Sequence, residues 1–218
     1  MWDATWERFV AGPVTLGPTP GAREAWHRGR SRFAVWLLRI EEPAVDARID
    51  EARRCLLGHG ARAFTEPHLT VFVAGFPCEV PVHDDDVSEA ALLAQAAALE
   101  SSPPPAPRLS VGGVNAFLTC PVLEVHDPHG DLSALRARLD LGAREIRFAP
   151  YLPHVTAGLF TDTRDTAPIT AALTPLRGLA PFPIAPRRLD LVSFDTRVPT
   201  PRLLSRWGIT LPRAKASG

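Results

Sequence analysis

The chain has 218 residues, with 24 lysines and arginines against 24 aspartates and glutamates, so its formal net charge is zero with histidine neutral. A chain of this length can bury roughly 70% of the surface its unfolded form exposes, enough for one sizeable core or two small lobes sharing an interface. A general electrostatic nucleic-acid binder carries a clear basic excess, so the balance excludes that class and confines any phosphate contact to a local site.

The first thirty residues hold Trp2, Trp6, Phe9 and Trp26 around a Gly/Pro-rich stretch from Gly12 to Gly21. They read as an N-terminal extension over 1–31, a short helix or coil and a loop resting on the body through its tryptophans, with little regular structure expected. The apolar run Phe33 to Ile40 reads as a central strand buried on both faces. Pro43 then opens a helix whose apolar stripe is Val45, Ile49, Ala52 and Leu56, with Gly58 as its stop.

His68 to Ala74 follows as a second strand. Asp84 to Glu89 places acids and a cap at the start of a helix running to about Leu99, where they complement its dipole. Ser101 to Pro107, with four prolines, is the clearest linker. Leu109 to Gly113 and Phe117 to Val125 read as strands of a hairpin turning around Gly112 to Ala116, with Pro121 arguing for an edge or bulge. Asp131 can cap a helix carrying Leu132, Leu135 and Leu139. His154 to Phe160 reads as the next strand, Ile169 to Leu176 as a short helix interrupted by Pro175, and Arg187 to Phe194 as the last strand. Leu203 to Trp207 is expected as a helical turn before a flexible tail over 212–218.

Charge is uneven along this path. Glu79 to Glu100 contains only acidic charges, whereas Ala185 to Gly218 is rich in arginine. Such runs are most simply solvated faces, with a polyanion path along the C-terminal arginines as the alternative. Cys55, Cys78 and Cys120 are an odd set without CxxC spacing, which suggests neither a disulfide framework nor a zinc knuckle and fits a reducing cytoplasm. Met1 to Glu7 lacks the basic start and apolar core of a signal peptide, and no apolar run approaches a membrane span. A cytoplasmic protein with no membrane partner is expected.

The decisive pattern is the similarity of Glu66-Pro67-His68-Leu69-Thr70-Val71 to Leu152-Pro153-His154-Val155-Thr156-Ala157. Residues two apart on a strand project from one face, so each histidine stands beside its threonine while Leu69 or Val155 points to the core. One such motif is most simply a hydrogen-bonding or capping histidine. Two in matching contexts suggest two halves facing each other across a cleft.

Opening a phosphodiester with two imidazoles needs one neutral ring to deprotonate water and one protonated ring to serve the departing oxygen, and an imidazole pKa of about 6.5 allows either state. Threonine hydroxyls can donate to the non-bridging oxygens. His68 and His154 are therefore the candidate catalytic residues, and Thr70 and Thr156 the candidate phosphate-binding residues.

These motifs resemble the paired signatures of the two-histidine phosphoesterase superfamily, especially its bacterial 2'-5' RNA ligase and 2',3'-cyclic phosphodiesterase branch. The similarity runs from about Phe33 to Leu211, taking in the helix before His68, the proline-rich crossing near 101–107, Gly112-Gly113 and Phe117, and a terminal strand reaching Ser193. It implies a bilobal α+β fold over 32–211 with pseudo-twofold symmetry, two antiparallel sheets lining a central groove and helices outside. It also implies hydrolysis of a 2',3'-cyclic phosphate to a 2'-phosphate without cofactor or metal, with His68 protonating the departing 3' oxygen and His154 activating water. Members often carry an aromatic residue after the final strand, where this chain has Arg197 and Pro199-Thr200-Pro201, and the N-terminal extension is outside the usual minimum.

Other candidates have plainer readings. His126-Asp127-Pro128-His129-Gly130-Asp131 marks a turn and a helix start rather than a metal site. His27, His59 and His83 lack a partner motif. Arg187 and Arg188 could reach a phosphate in the groove, with Arg202 and Arg206 weaker candidates. The expected partner is an RNA end or small cyclic nucleotide met by a monomer. The competing readings are a noncatalytic binder of nucleotides or RNA ends using the same groove, and a structural or interaction protein that keeps the bilobal core while Trp2, Trp6 and Trp26 contact a partner.

Overall fold

A computed structural model describes residues 1–63, 66–140, 142–146, 150–199 and 201–214. The apolar run after Ser31 forms β1 (Arg32–Arg39), with Phe33 to Leu38 all buried. It is flanked on one side by β3 (His68–Cys78) and on the other by β10 (Arg188–Asp195), which pairs in turn with β11 (Leu204–Thr210). All three pairings are antiparallel, and the short β4 (Asp86–Ser88) adds to the end of β3 in parallel.

A second antiparallel array has the order β7 (His154–Thr156), β6 (Cys120–His126), β5 (Leu109–Phe117) and β9 (Phe182–Ile184). The two arrays meet edge to edge through β3 and β7, where Leu69 pairs with Val155. A separate two-stranded ribbon joins β2 (Ala61–Ala63) to β8 (Gly158–Phe160). The two expected antiparallel sheets are thus present, fused at one rung.

The helices cross over. α3 (Pro43–Cys55) follows β1 in sequence but packs against β6 of the second array and α6 (Thr166–Arg177). Its expected stripe, Val45, Ile49, Ala52 and Leu56, is buried, each larger aliphatic contributing about 1.5–3 kcal/mol. α5 (Asp131–Asp140) follows β6 yet packs on β3 of the first array, beside α4 (Glu89–Ser101). The Ser88 hydroxyl caps α4 by accepting from the Ala91 amide at 3.1 Å.

Several sequence expectations need correction. The N-terminal segment is regular: α1 (Trp2–Ala11) and α2 (Ala22–His27) are helices, and Phe9 is 1% exposed against the Phe160 ring. β5 runs unbroken through Gly112 to Ala116, and the hairpin turns at Leu118 and Thr119 instead. The paired glycines sit at a register shift, and Gly113 is required because a Cβ there would lie 2.1 Å from the Arg177 carbonyl oxygen. His154 to Phe160 splits into β7 and β8, which belong to different sheets.

Leu203 to Trp207 is not a helical turn, since Leu204 begins β11 and finds its hydrogen bonds on β10. α6 begins at Thr166, where Asp165 accepts from the Ala167 amide, and continues past Pro175 to Arg177. Asp127, rather than Asp131, accepts from the first amides of α5, at 2.8 and 3.0 Å, while Asp131 pairs with Arg108. Of the expected tail, Pro212 is tied by its carbonyl to the Ala106 amide at 2.7 Å, and 215–218 lie outside the described residues.

Candidate active site

The Leu69–Val155 rung places the two motifs. Both side chains are fully buried. Continuing the antiparallel register by one residue in each direction sets His68 across from Thr156 and Thr70 across from His154, all four on the opposite face from the buried pair. His68, Thr70 and His154 line one cavity of about 640 Å³.

The two imidazoles are held in the same way. His68 Nδ1 lies 2.7 Å from the Glu66 carbonyl oxygen, and His154 Nδ1 lies 2.7 Å from that of Leu152. A carbonyl can only accept, so each Nδ1 carries its hydrogen and proton exchange is directed to Nε2. The proline between carbonyl and histidine in each motif, Pro67 or Pro153, fixes the turn that brings them together.

The neighbours are not symmetric. Across the ladder His68 faces Arg39 and His154 faces Glu124. Arg39 is bound to Asp190 at 3.0 Å and to Glu66; Glu124 is bound to Asn115 at 2.8 Å and to Arg177. Burial pushes the His68 pKa below the ordinary imidazole value; the Glu66 carbonyl bond opposes that and the Arg39 charge adds to it. His154 rests edge-on against the Phe117 ring, centroids 5.1 Å apart, and Trp2 of α1 packs behind Phe117 at 6.4 Å.

Two arginines escaped notice in the sequence. Arg53 on α3 donates through Nε to the Ala157 carbonyl at 3.1 Å, and Arg136 on α5 donates through Nε to the Val71 carbonyl at 3.2 Å. Each carbonyl belongs to the residue just after a motif threonine, and each arginine comes from the helix that crosses over to the opposite array. Tyr151 joins them: its hydroxyl donates to the Thr70 carbonyl at 3.1 Å while the Arg136 guanidinium lies 4.0 Å from its ring centroid. Only the crossing of the helices explains these contacts, and helical periodicity alone carries no sign of it.

Neither Arg187 nor Arg188 is among the residues that line the histidine cavity. Arg187 donates to the Leu211 carbonyl at 3.3 Å and lines a different cavity with Arg108, His129 and Arg213; Arg188 pairs with Asp190 at 3.0 Å. Arg206 pairs with Glu89 at 2.6 Å. The cavity at the histidines instead takes Arg23 from α2.

A mixed α+β architecture with two antiparallel arrays and a histidine from each edge strand is that of the two-histidine phosphoesterases. Residues 41–197 match the model of the 2'-5' RNA ligase superfamily, and the chain belongs to that superfamily. Among solved structures, Escherichia coli LigT in its apo form is similar with a TM-score of 0.60 and 15% identity, over 85% of this chain and 100% of that one. LigT complexed with NADP+ gives 0.57 and 17% over the same shares. TT0787 of Thermus thermophilus gives 0.52 and 16% over 84% and 100%. At such identities the likeness concerns the fold. No match was found among curated proteins. No helix among the described residues is long and apolar enough to cross a membrane.

Proposed function

We propose that the protein hydrolyses a 2',3'-cyclic phosphate at a nucleotide or RNA end to a 2'-phosphate, using His68 and His154 as the acid and base pair without a metal. The observation that carries this reading is the matched pair of Nδ1 to carbonyl bonds, both 2.7 Å, in two histidines lining one cavity. LigT, of the same superfamily, has been crystallised with 3'-AMP, which supports a nucleotide as the ligand class.

In the reaction, water attacks phosphorus as one Nε2 takes its proton, the P–O3' bond breaks, and the other Nε2 delivers a proton to O3'. Thr70 and Thr156 donate to the non-bridging oxygens as charge builds on them. A 5'-hydroxyl attacking in place of water would give a 2'-5' linkage. Burial and Arg39 both favour a neutral His68 in the free protein, and on that ground we propose it as the base and His154 as the acid, the reverse of the roles implied by the family resemblance.

The test is product analysis on a panel of nucleoside 2',3'-cyclic phosphates and RNA ends in EDTA. Turnover to 2'-phosphates, lost in both His68→Ala and His154→Ala, is expected; a wild-type rate in either variant overturns the pair. A nucleotide nitrophenyl ester, whose leaving group needs no proton, separates the roles: His154→Ala should retain activity on it and His68→Ala should not.

A further inference from the structure

One wall of the histidine cavity comes from outside the two arrays. Pro18, Thr19, Ala22, Arg23 and Trp26, from α2 and the loop before it, line the cavity together with His68, Thr70 and His154. Trp26 is 36% exposed although it sits in an aromatic cluster, its ring centroid 4.9 Å from that of Phe33 and 5.2 Å from that of Phe76. Phe194, a further lining residue, joins the same cluster in a tilted contact, its centroid 5.6 Å from that of Phe33. A half-exposed indole thus lines the cavity, held by tilted aromatic neighbours.

The wall is fixed in place. Arg30 lies 3.5 Å from the Phe76 centroid, pairs with Asp85 at 2.7 Å and Asp86 at 2.5 Å, and donates to the Trp26 carbonyl at 3.1 Å. Thr196, 1% exposed, donates through its hydroxyl to the Arg30 carbonyl at 2.6 Å and through its amide to that of Ser31 at 3.1 Å. Its own carbonyl accepts from Arg23 at 3.4 Å. A surface so tied is prepared in advance of binding and gives up little freedom when a ligand arrives.

The chemistry of the wall is apolar. Val35, Val73, Phe194 and Leu203 continue the surface from Trp26 towards the histidines. Asp195 is held to a pKa of about 2, chiefly by its hydrogen bond from the Arg197 side chain, and that partner matches its charge. Among the described lining residues Arg23 is the sole arginine, whereas a nucleic-acid strand tracked along its backbone calls for a cation near each successive phosphate.

Resting on the cyclic phosphodiesterase reading of the same cavity, we propose that the α2 wall selects a substrate of mononucleotide size: one phosphate ester at the histidines, with its nucleobase lying on the Trp26 indole. Bases stack on aromatic side chains with little regard for sequence, so the wall would accept purine and pyrimidine alike.

The test combines binding and turnover. Calorimetry with adenosine 2'-monophosphate and with inorganic phosphate, on wild type, Trp26→Ala and Trp26→Phe, should show nucleotide affinity falling at least about fivefold in the alanine variant. Phosphate affinity should be unchanged, and phenylalanine should restore most of the loss. In turnover, wild type should prefer a nucleoside 2',3'-cyclic phosphate to a baseless 1,2-cyclic phosphate and to an oligonucleotide with a cyclic phosphate end. Equal weakening of nucleotide and phosphate, an unchanged nucleotide affinity, or a preference for the oligonucleotide would each overturn the wall's role. If the binding pattern holds while no cyclic phosphate is turned over, the hydrolytic reading fails and the base-binding wall stands.

Discussion

Leu69 and Val155 face each other across the seam between the two arrays, and their pairing sets which side chains meet above it. Both are fully buried, so a one-residue slip would carry an apolar side chain into the cavity and a histidine into the core. Leu69→Ala is expected to cost about 2–5 kcal/mol in urea unfolding, as for other large-to-small changes in a core, and to lower turnover in the fraction that remains folded. An unfolding midpoint equal to that of wild type would remove the seam from the account.

The histidines act as one unit, so their losses should not add. His68→Ala and His154→Ala are each expected to lower kcat by about 10²–10⁴ on a nucleoside 2',3'-cyclic phosphate, with the double variant little worse than the weaker single one. Strictly multiplicative losses would show two independent contributions in place of a relay.

Acid should destabilise the protein through His68. Burial lowers its folded pKa, so between that value and about 6.5 the unfolded chain binds the extra proton and stability falls as pH falls through the window. Above the window both states hold a neutral ring and the contribution is complete. Urea midpoints at about pH 7.5 and pH 5 should therefore differ less in His68→Gln than in wild type. An identical difference in both proteins would mean the ring is not held neutral.

Arg53 and Arg136 should behave as positioning residues. Removing a charged donor from a part-buried carbonyl costs about 1.5–3 kcal/mol, and a small displacement of a reacting group costs more in rate than in binding. Arg53→Met and Arg136→Met are expected to lower kcat about tenfold or more with KM little changed, and Arg53→Lys to recover part of it. A change confined to KM would place these groups in substrate contact.

Much of this was visible in the residues, for reasons that differ from place to place. The run Phe33 to Ile40 could be read because a strand buried on both faces is apolar at every position, and the α3 stripe because one helical face meets one core. The histidine motifs were legible because each is carried by a local proline and a two-residue spacing. α1 was not, because its order comes from Phe9 against Phe160 and Trp2 against Phe117, contacts with residues more than a hundred positions away. β11 was hidden by the prolines around it, since only pairing with β10 makes Leu204 to Thr210 extended. Arg187 and Arg188 could not be placed from strand position alone: Arg188 lies in the same row as His68, but Arg39 stands between them and Asp190 takes its charge, while Arg187 turns to the Leu211 carbonyl.

The crossing of the chain has a consequence for the integrity of the molecule. The first array needs β10 and β11 from the C-terminal third, while the second is buttressed by α1 from the N-terminus and by α3. A protease cut between Ser102 and Pro107 would therefore separate His68 from His154 on two fragments: the C-terminal piece would keep the strands of the second array but lose its α1 and α3 buttresses, and the first array would be divided between the two. The nicked pieces would stay interlocked, and once they were pulled apart by denaturant the first array would re-form only when they found each other again.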